Sequence, residues 1–195
     1  MRFFAVLLVT VFLWGEAGAA PRSPRPEAGI GILFIRPPPA DRDGGSPLVV
    51  LYREPGVSRI GEWRAASLPL LSLPAEEGGG IPVAVMAKRG AWFRVAYDDA
   101  GRSGWVEGER VWSFLPWDEY LKGKGIRLLP GLRKPYYILR AGPVDHAPEL
   151  RTLSPENSLR VIEVAGDRAR VILDLAVMGW LSWRDEDGRL LVGVR

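Results

Sequence analysis

The apolar residues of this chain come in short runs separated by Gly, Pro, Asp and Ser. Short apolar runs bounded by turn-forming residues predict β-strands. The predicted strands are residues 30–35, 49–52, 83–86, 92–97 and 104–106. No window of about 11 residues keeps the helical period of about 3.6. The single predicted helical turn is 116–121, which has a Pro and two acidic residues early, as a helix start prefers. The pattern therefore predicts an all-β chain.

The first residues of the chain predict a signal peptide. Residues 3–14 are uncharged and follow Arg2, and the small-residue sequence AGA (17–19) comes soon after. One positive charge, an apolar core and an A-x-A site are typical of a cleaved secretory signal over residues 1–19; the alternative is a buried N-terminal helix or strand. The apolar run is shorter than the roughly 20 residues of a membrane span. Residues 20–29 are predicted to be a proline-rich spacer.

The signal peptide predicts that the mature protein is exported to the periplasm or the extracellular space. No later stretch approaches about 18 uncharged apolar residues, so no transmembrane segment is expected in the mature chain. The formal net charge is +3, which is too small and too dispersed for a nucleic-acid footprint. We therefore expect no nucleic-acid partner.

The chain contains an internal repeat. Two sets of landmarks share nearly the same spacing: Val85, Val95 and Trp105 in the first half, and Val161, Val171 and Trp180 in the second. Each tryptophan follows a glycine, Gly104 or Gly179, and each middle valine follows an arginine, Arg94 or Arg170. A repeat of this length predicts two similar folded units.

A second pair of similar segments lies upstream of these landmarks. Residues 51–57 (LYREPGV) are similar to residues 138–144 (ILRAGPV), which aligns Arg53 with Arg140. Between this segment and the landmarks, the first half contains more residues than the second. The obvious insert is at residues 68–80 (LPLLSLPAEEGGG). The first unit is therefore predicted to carry a loop that the second lacks.

The order of elements within each unit resembles the bacterial SH3-like family. The likeness is carried by an Arg-containing turn after the first strand, an x-Arg-Val strand and a closing Gly-Trp-Val or Gly-Trp-Leu element. It implies two small, strongly bent β-barrels in tandem, used for cell-wall binding or protein interaction. The predicted parts are a first barrel over 30–115, a connector over 116–135 and a second barrel over 136–195. The chain departs from the family in the insert, in Asp174 where a Gly turn is expected, and in the strand at 30–35.

Most catalytic and metal sites lack their residues here. The chain has no cysteine and one histidine, His146, which excludes disulfide scaffolds, cysteine nucleophiles, thiolate zinc sites and centres with several imidazoles. Asp145 precedes this histidine in a proline-bounded loop, and no Gly-x-Ser-x-Gly element supplies a nucleophile, so we interpret the pair as an exposed loop. We predict no catalytic residue, no metal ligand and no cofactor, and hence no enzyme.

The tryptophans are the candidate ligand-binding residues. Aromatic side chains line grooves that bind extended peptides or sugar rings, and arginine recognises carboxylates or phosphates. The residues predicted to bind a ligand are Trp92, Arg94, Trp63 and Trp183. Two other tryptophans, Trp105 and Trp180, are predicted to be core residues. The residues predicted to join the two units are Trp112, Phe114, Trp117 and Tyr120.

Together these features predict an exported, non-catalytic binding module. Its expected partner is a cell-wall peptide or glycan, or another exported protein. The alternative is a purely structural protein of the envelope that binds no small ligand. Two aromatics exposed on one face favour the first function, whereas a flat apolar patch of several hundred Å² favours the second.

Overall fold

The structure is a computed structural model that describes residues 25–37, 45–74 and 79–195. These residues form two antiparallel sheets of seven strands each, which confirms the all-β prediction. The hydrogen-bonded order of each sheet is linear, and no pairing among the described residues closes either one into a barrel. Helices in this part of the chain are at most five residues long, too short to traverse a bilayer. The predicted signal peptide, residues 1–19, lies outside the described residues.

The first sheet contains all five strands that the sequence predicts. Its strands are β1 (Gly31–Ile35), β2 (Leu48–Glu54), β3 (Val57–Arg64), β4 (Ile81–Arg89), β5 (Trp92–Ala96), β6 (Ser103–Glu107) and β7 (Ser113–Pro116). They lie in the order β3-β2-β6-β5-β4-β1-β7. A turn of 3-10 helix (Ala65–Ser67) follows β3, and the predicted insert lies between β3 and β4.

The second sheet follows a short helix, α1 (Trp117–Leu121), which forms where the sequence predicts a helical turn. Its strands are β8 (Gly125–Leu128), β9 (Ile138–Arg140), β10 (Glu149–Thr152), β11 (Leu159–Ala165), β12 (Arg168–Leu173), β13 (Val177–Ser182) and β14 (Val192–Val194). A 3-10 turn (Lys134–Tyr137) precedes β9. The strands lie in the order β10-β9-β13-β12-β11-β8-β14.

The two sheets repeat one topology, strand for strand. Numbered from the first strand of each sheet, the two spatial orders are identical. The landmark valines pair across strands in both sheets, Val85 with Val95 and Val161 with Val171, and a bulge follows each pair. The repeat in the sequence is therefore a repeat of strand pairing. It also extends to β8, the counterpart of β1, which lies inside the predicted connector over 116–135.

The strand pairing corrects one detail of the sequence repeat. Tyr52 pairs with Trp105 across β2 and β6. Arg140 pairs with Trp180 across β9 and β13 in the same way. The counterpart of Arg140 is therefore Tyr52, and the alignment with Arg53 is wrong by one residue.

Glycine precedes each of these two tryptophans because neighbouring strands come very close there. A Cβ atom on Gly104 would lie 3.3 Å from the carbonyl oxygen of Tyr52. On Gly179 it would lie 2.6 Å from Cγ of Leu139 and 2.8 Å from the carbonyl oxygen of Arg140. A side chain at position 179 would therefore push β13 away from β9, and one at position 104 would require β2 to give by a few tenths of an ångström.

Strand β1 is buried on both faces. Leu33 and Ile35 pack into an apolar cluster formed within the first sheet, the first cluster. Ile32 and Phe34 belong to a second cluster, which also contains the core of the second sheet. Because successive side chains of a strand point to opposite faces, this one strand contributes to both clusters and ties the two sheets together.

Aromatic side chains of α1 complete this junction. The Trp117 ring packs on that of Trp183, with centroids 5.4 Å apart, and Tyr120 packs edge-on against Trp117 at 5.9 Å. The predicted joining role of Trp117 and Tyr120 is confirmed, since both lie in the cluster shared by β1 and the second sheet. Trp112 and Phe114 instead pack against the first cluster.

Residues 25–29 form a strap across the second unit, where the sequence predicted the end of a spacer. Ala28 is fully buried, and its carbonyl oxygen accepts a hydrogen bond from Nε1 of Trp117 at 2.7 Å. Arg25 donates to the carboxylate of Asp185 at 2.5 Å. The chain is thus bound to the second unit before it enters the first sheet.

Asp185 is the buried anchor of this strap, with a side chain 2% exposed. Its carboxylate also accepts the backbone N–H groups of Arg189 at 2.8 Å and Asp187 at 3.1 Å. Burial by itself raises the pKa of Asp185, but the Arg189 N–H, the Arg25 guanidinium and the Asp187 N–H outweigh it. The pKa of Asp185 therefore lies below its ordinary value of 3.8, and the carboxylate is ionised near neutral pH.

We predict that Gly179→Ala destabilises the fold and that Gly193→Ala does not. The added methyl group at position 179 meets a side chain and a backbone oxygen at less than 3 Å, whereas at position 193 the nearest atom is at 3.6 Å. Overpacking of this kind costs about 1–3 kcal/mol. Urea denaturation of both variants measures the difference, and equal free energies of unfolding would contradict the close approach of β9 and β13.

We predict that Asp185→Asn lowers the free energy of unfolding by about 1–3 kcal/mol near neutral pH, because a charged, hydrogen-bonded group is lost. A carboxyl group whose pKa is lowered by folding stabilises above its unfolded pKa, and this contribution disappears as the pH falls through the folded pKa. The difference in the free energy of unfolding between wild type and variant should therefore be constant above about pH 5 and shrink towards pH 2. Asp187→Asn, in the same turn but exposed, is the control and should show no such difference.

Candidate functional site

Trp92 and Arg94 project from the outer face of the first sheet, the face that points away from the first cluster. Their neighbours on β5, Phe93 and Val95, are buried in that cluster. Side chains alternate along a strand, so the two predicted site residues share the opposite face. Arg94 is exposed and Trp92 is half-buried. Both are positioned to contact a ligand.

Three further side chains gather around this pair. Trp105 is the cross-strand partner of both Tyr52 and Arg94. The Tyr52 ring packs edge-on against Trp92, with centroids 5.4 Å apart and planes at 87°. The guanidinium of Arg89 lies 5.0 Å from the centroid of Trp105, which is a cation–π geometry. We call these five residues the aromatic–arginine face.

The two arginines of this face differ in their partners. Arg89 forms an ion pair with Glu54, Nη1 to Oε2 at 3.2 Å, and both side chains are exposed. Arg94 donates from Nε to Oγ of Ser103 at 2.9 Å and forms no ion pair with any described residue. Its remaining N–H groups are free to bind a carboxylate or phosphate, which the planar guanidinium suits.

The indole N–H groups divide the tryptophans of the described chain into two kinds. Three donate to a backbone carbonyl oxygen at 2.7 to 3.0 Å: Trp112, Trp117 and Trp183. Four have no acceptor among the described residues: Trp63, Trp92, Trp105 and Trp180. Buried indole groups normally find a partner. The first kind is therefore structural, and the second can donate to a ligand.

The prediction that Trp105 is a buried core residue is confirmed, whereas the same prediction for Trp180 is wrong. Trp105 is 4% exposed, but it belongs to neither apolar cluster and lies in the aromatic–arginine face, where the Arg89 guanidinium covers its ring. Trp180 is half-buried on the outer face of the second sheet, opposite Arg140 and Arg170. In both strands the preceding glycine faces inward, so the alternation of side chains turns the tryptophan outward.

Trp63 lies on the opposite face from Trp92. It pairs with Val49, which is buried in the first cluster, and packs on Tyr97 with ring centroids 5.1 Å apart. The guanidinium of Arg102 lies 5.6 Å from the Tyr97 centroid. The structure therefore separates these two predicted site residues, and Trp63 belongs to the edge of the core.

Trp183 does not line an open surface. Its side chain is 1% exposed, packs on Trp117, and donates to the carbonyl oxygen of Gly166 at 2.9 Å. A side chain enclosed in this way contacts a ligand only if the junction opens. We therefore remove Trp183 from the candidate ligand-binding residues and assign it to the junction.

Two members of the aromatic–arginine face, Tyr52 and Arg89, were missed by the sequence reasoning. Arg89 pairs with Trp92 across a tight hairpin, and this local spacing is a signal that could have found it. Tyr52 reaches the face only because β2 pairs with β6. No local pattern in the sequence reveals that long-range pairing.

A cleft of about 960 Å³ lies between the two units. Its lining mixes apolar side chains such as Leu70, Met86 and Leu129 with the charged Asp99 and Arg127. No group of three or more potential metal ligands occurs among the described residues. The mixed lining of the cleft does not single out a class of ligand, whereas the aromatic–arginine face does.

The aromatic–arginine face combines ring surfaces with N–H donors. It can pack against a sugar ring or an apolar side chain and donate to hydroxyl, carboxylate or phosphate oxygens. Comparisons with protein-family models and with curated proteins find no match for this chain.

We predict that Trp183→Phe destabilises the protein far more than Trp92→Phe. The first change removes a buried hydrogen bond and leaves a void beside Trp117, a loss of about 2 kcal/mol or more. The second alters a half-exposed ring, with an expected change within about 0.5 kcal/mol. Denaturant unfolding measures both, and equal losses would argue against the division of the tryptophans into structural and surface groups.

Proposed function

We propose that this chain is an exported, non-catalytic binding module, related to tandem bacterial SH3 domains, that holds a cell-wall glycan or peptide on its aromatic–arginine face. One observation carries the proposal. The indole N–H of Trp92 has no acceptor among the described residues, and Trp92 shares the outer face of β5 with Arg94, whose charge has no ion-pair partner among them. Donors gathered in this way suit a ligand that is rich in oxygen acceptors.

The ligand's affinity would come from two kinds of contact. An aromatic peptide side chain packed on Trp92 gains about 0.5–1.5 kcal/mol beyond its buried area, and a sugar ring gains from the apolar area that it buries. A carboxylate accepting from Arg94 adds about 1.5–3 kcal/mol, as hydrogen bonds to charged groups do. Ordering of the ligand offsets part of this gain, so one sugar or peptide unit binds weakly and a polymer binds through repeated contacts.

Two further features support a role in the cell envelope. The predicted signal peptide would deliver the mature protein to the compartment where wall polymers are found. The Arg-Val and Gly-Trp elements that resemble the SH3-like family occupy equivalent, adjacent strands in both sheets. This recurrence is expected if both units descend from one module of that family.

The alternative, a structural envelope protein without a small ligand, is favoured by a different surface. Leu175 is 81% exposed and has a left-handed backbone with φ of 57°, and the nearby Met178 is 53% exposed. A large apolar side chain in this conformation costs about 1–2 kcal/mol. Such a residue is suited to docking on another protein.

We predict that the mature chain, from Ala20, co-sediments with purified cell-wall sacculi and that Trp92→Ala removes most of this retention. Arg94→Ala should reduce retention mainly at low salt, and the difference from the wild type should shrink as salt rises, since salt screens the charge contact and leaves the ring contacts. Arg127→Ala is the matched control, because Arg127 is also exposed and forms no ion pair with described residues. Pelleted protein is quantified at low and moderate salt, with thermal unfolding confirming that each variant folds.

Either of two results would overturn this function. If the wild type is not retained at all, the wall is not its partner, and crosslinking for a protein partner through Leu175 and Met178 becomes the next test. If Arg127→Ala reduces retention as much as Arg94→Ala, the attraction is general charge rather than a defined face.

A further inference from the structure

The second sheet carries a counterpart of the aromatic–arginine face at equivalent positions. Trp180 pairs with Arg170 as Trp105 pairs with Arg94. On its other side Trp180 pairs with Arg140. An indole ring on the outer face is therefore flanked by arginines on both neighbouring strands.

The residues that cover the ring differ between the two sheets. The positions of Trp92 and Arg89, which pair across the hairpin in the first sheet, are taken by Arg168 and Ala165 in the second. Trp180 is half-buried as a result, whereas Trp105 is almost completely covered. The second face is thus more open than the first and carries three arginines, where the first carries two.

The three arginines around Trp180 are held by acidic partners that are themselves exposed. The pairs are Arg140 with Glu149, Arg168 with Asp145, and Arg170 with Glu163. The side chain of Arg168 is 20% exposed and that of Asp145 is 90% exposed. All three carboxylates face water, so an incoming anion can take their place on the arginines without leaving a buried carboxylate unpaired.

We propose that this second face is a separate binding site for an acidic sugar unit, with the ring on Trp180 and the carboxylate or phosphate on Arg168 and Arg170. The Trp180 N–H, which has no acceptor among the described residues, donates to a ring hydroxyl. The proposal rests on the proposed function in taking an envelope polymer as the ligand. It adds that the second unit selects the charged units of that polymer.

The test is calorimetric titration of the mature chain with three soluble oligomers of matched length. Oligogalacturonate supplies carboxylates, a phosphorylated maltooligosaccharide supplies phosphates, and the unmodified maltooligosaccharide is the neutral control. We expect at least one acidic oligomer to bind about tenfold or more tightly than the neutral one. Arg170→Gln should weaken that binding about tenfold or more, as loss of one charge-assisted hydrogen bond does. The oligomer that binds identifies carboxylate or phosphate as the preferred acid.

Two variants distinguish binding at this face from binding at the first face and from general charge attraction. Trp92→Ala leaves the second sheet intact, so acidic oligomers should still bind it. Arg127→Gln makes the same charge change as Arg170→Gln on β8, away from the face, and should have no effect. The proposal is overturned if no acidic oligomer binds, if Arg127→Gln weakens binding as much as Arg170→Gln, or if Trp92→Ala abolishes binding. These outcomes can be interpreted even if the mature chain does not co-sediment with sacculi, because the titrations do not use sacculi.

Discussion

The burial of β1 on both faces is the constraint on which the rest of the structure depends. A strand with one apolar face would leave the other in water, but all five residues of β1 are buried. Separating the two units would expose Ile32 and Phe34, each worth about 1.5–3 kcal/mol of burial. The α1 aromatics and the strap at residues 25–29 seal the same junction. The tandem repeat is therefore held as a joined pair.

The duplication keeps the residues that build each sheet and varies those that cover it. The paired valines and the inward glycine before each outward tryptophan recur because strand spacing requires them. On the outer face the same positions hold Trp92 in one sheet and Arg168 in the other. A duplicated scaffold that preserves its pairing can diversify its surface, since outer residues contribute little to the packing of either cluster. The two faces consequently present different chemistry on one topology.

The sequence predicted what depends on local pattern and missed what depends on distant contacts. Short apolar runs and the repeat spacing identified the strands and the paired valines. They did not predict that the Trp105 side chain points to the outer face. A glycine can face either side of a sheet, and only the close approach of β2 to Gly104 fixes this glycine on the inner side. Trp183 was predicted to bind a ligand because the residue that covers it, Trp117 of α1, is far away in the chain. The strand β8 was overlooked because four residues (GIRL) carry too little pattern.

The strap has a mechanical consequence. The chain meets the second unit at Arg25 before it becomes β1 of the first sheet, so a pull applied ahead of Arg25 loads the turn around Asp185 first. The Arg25–Asp185 ion pair, the strap hydrogen bonds and the shared cluster must then be broken one after another. Tension on this end of the chain is therefore borne by the junction, and each sheet would keep its shape until that junction gives way.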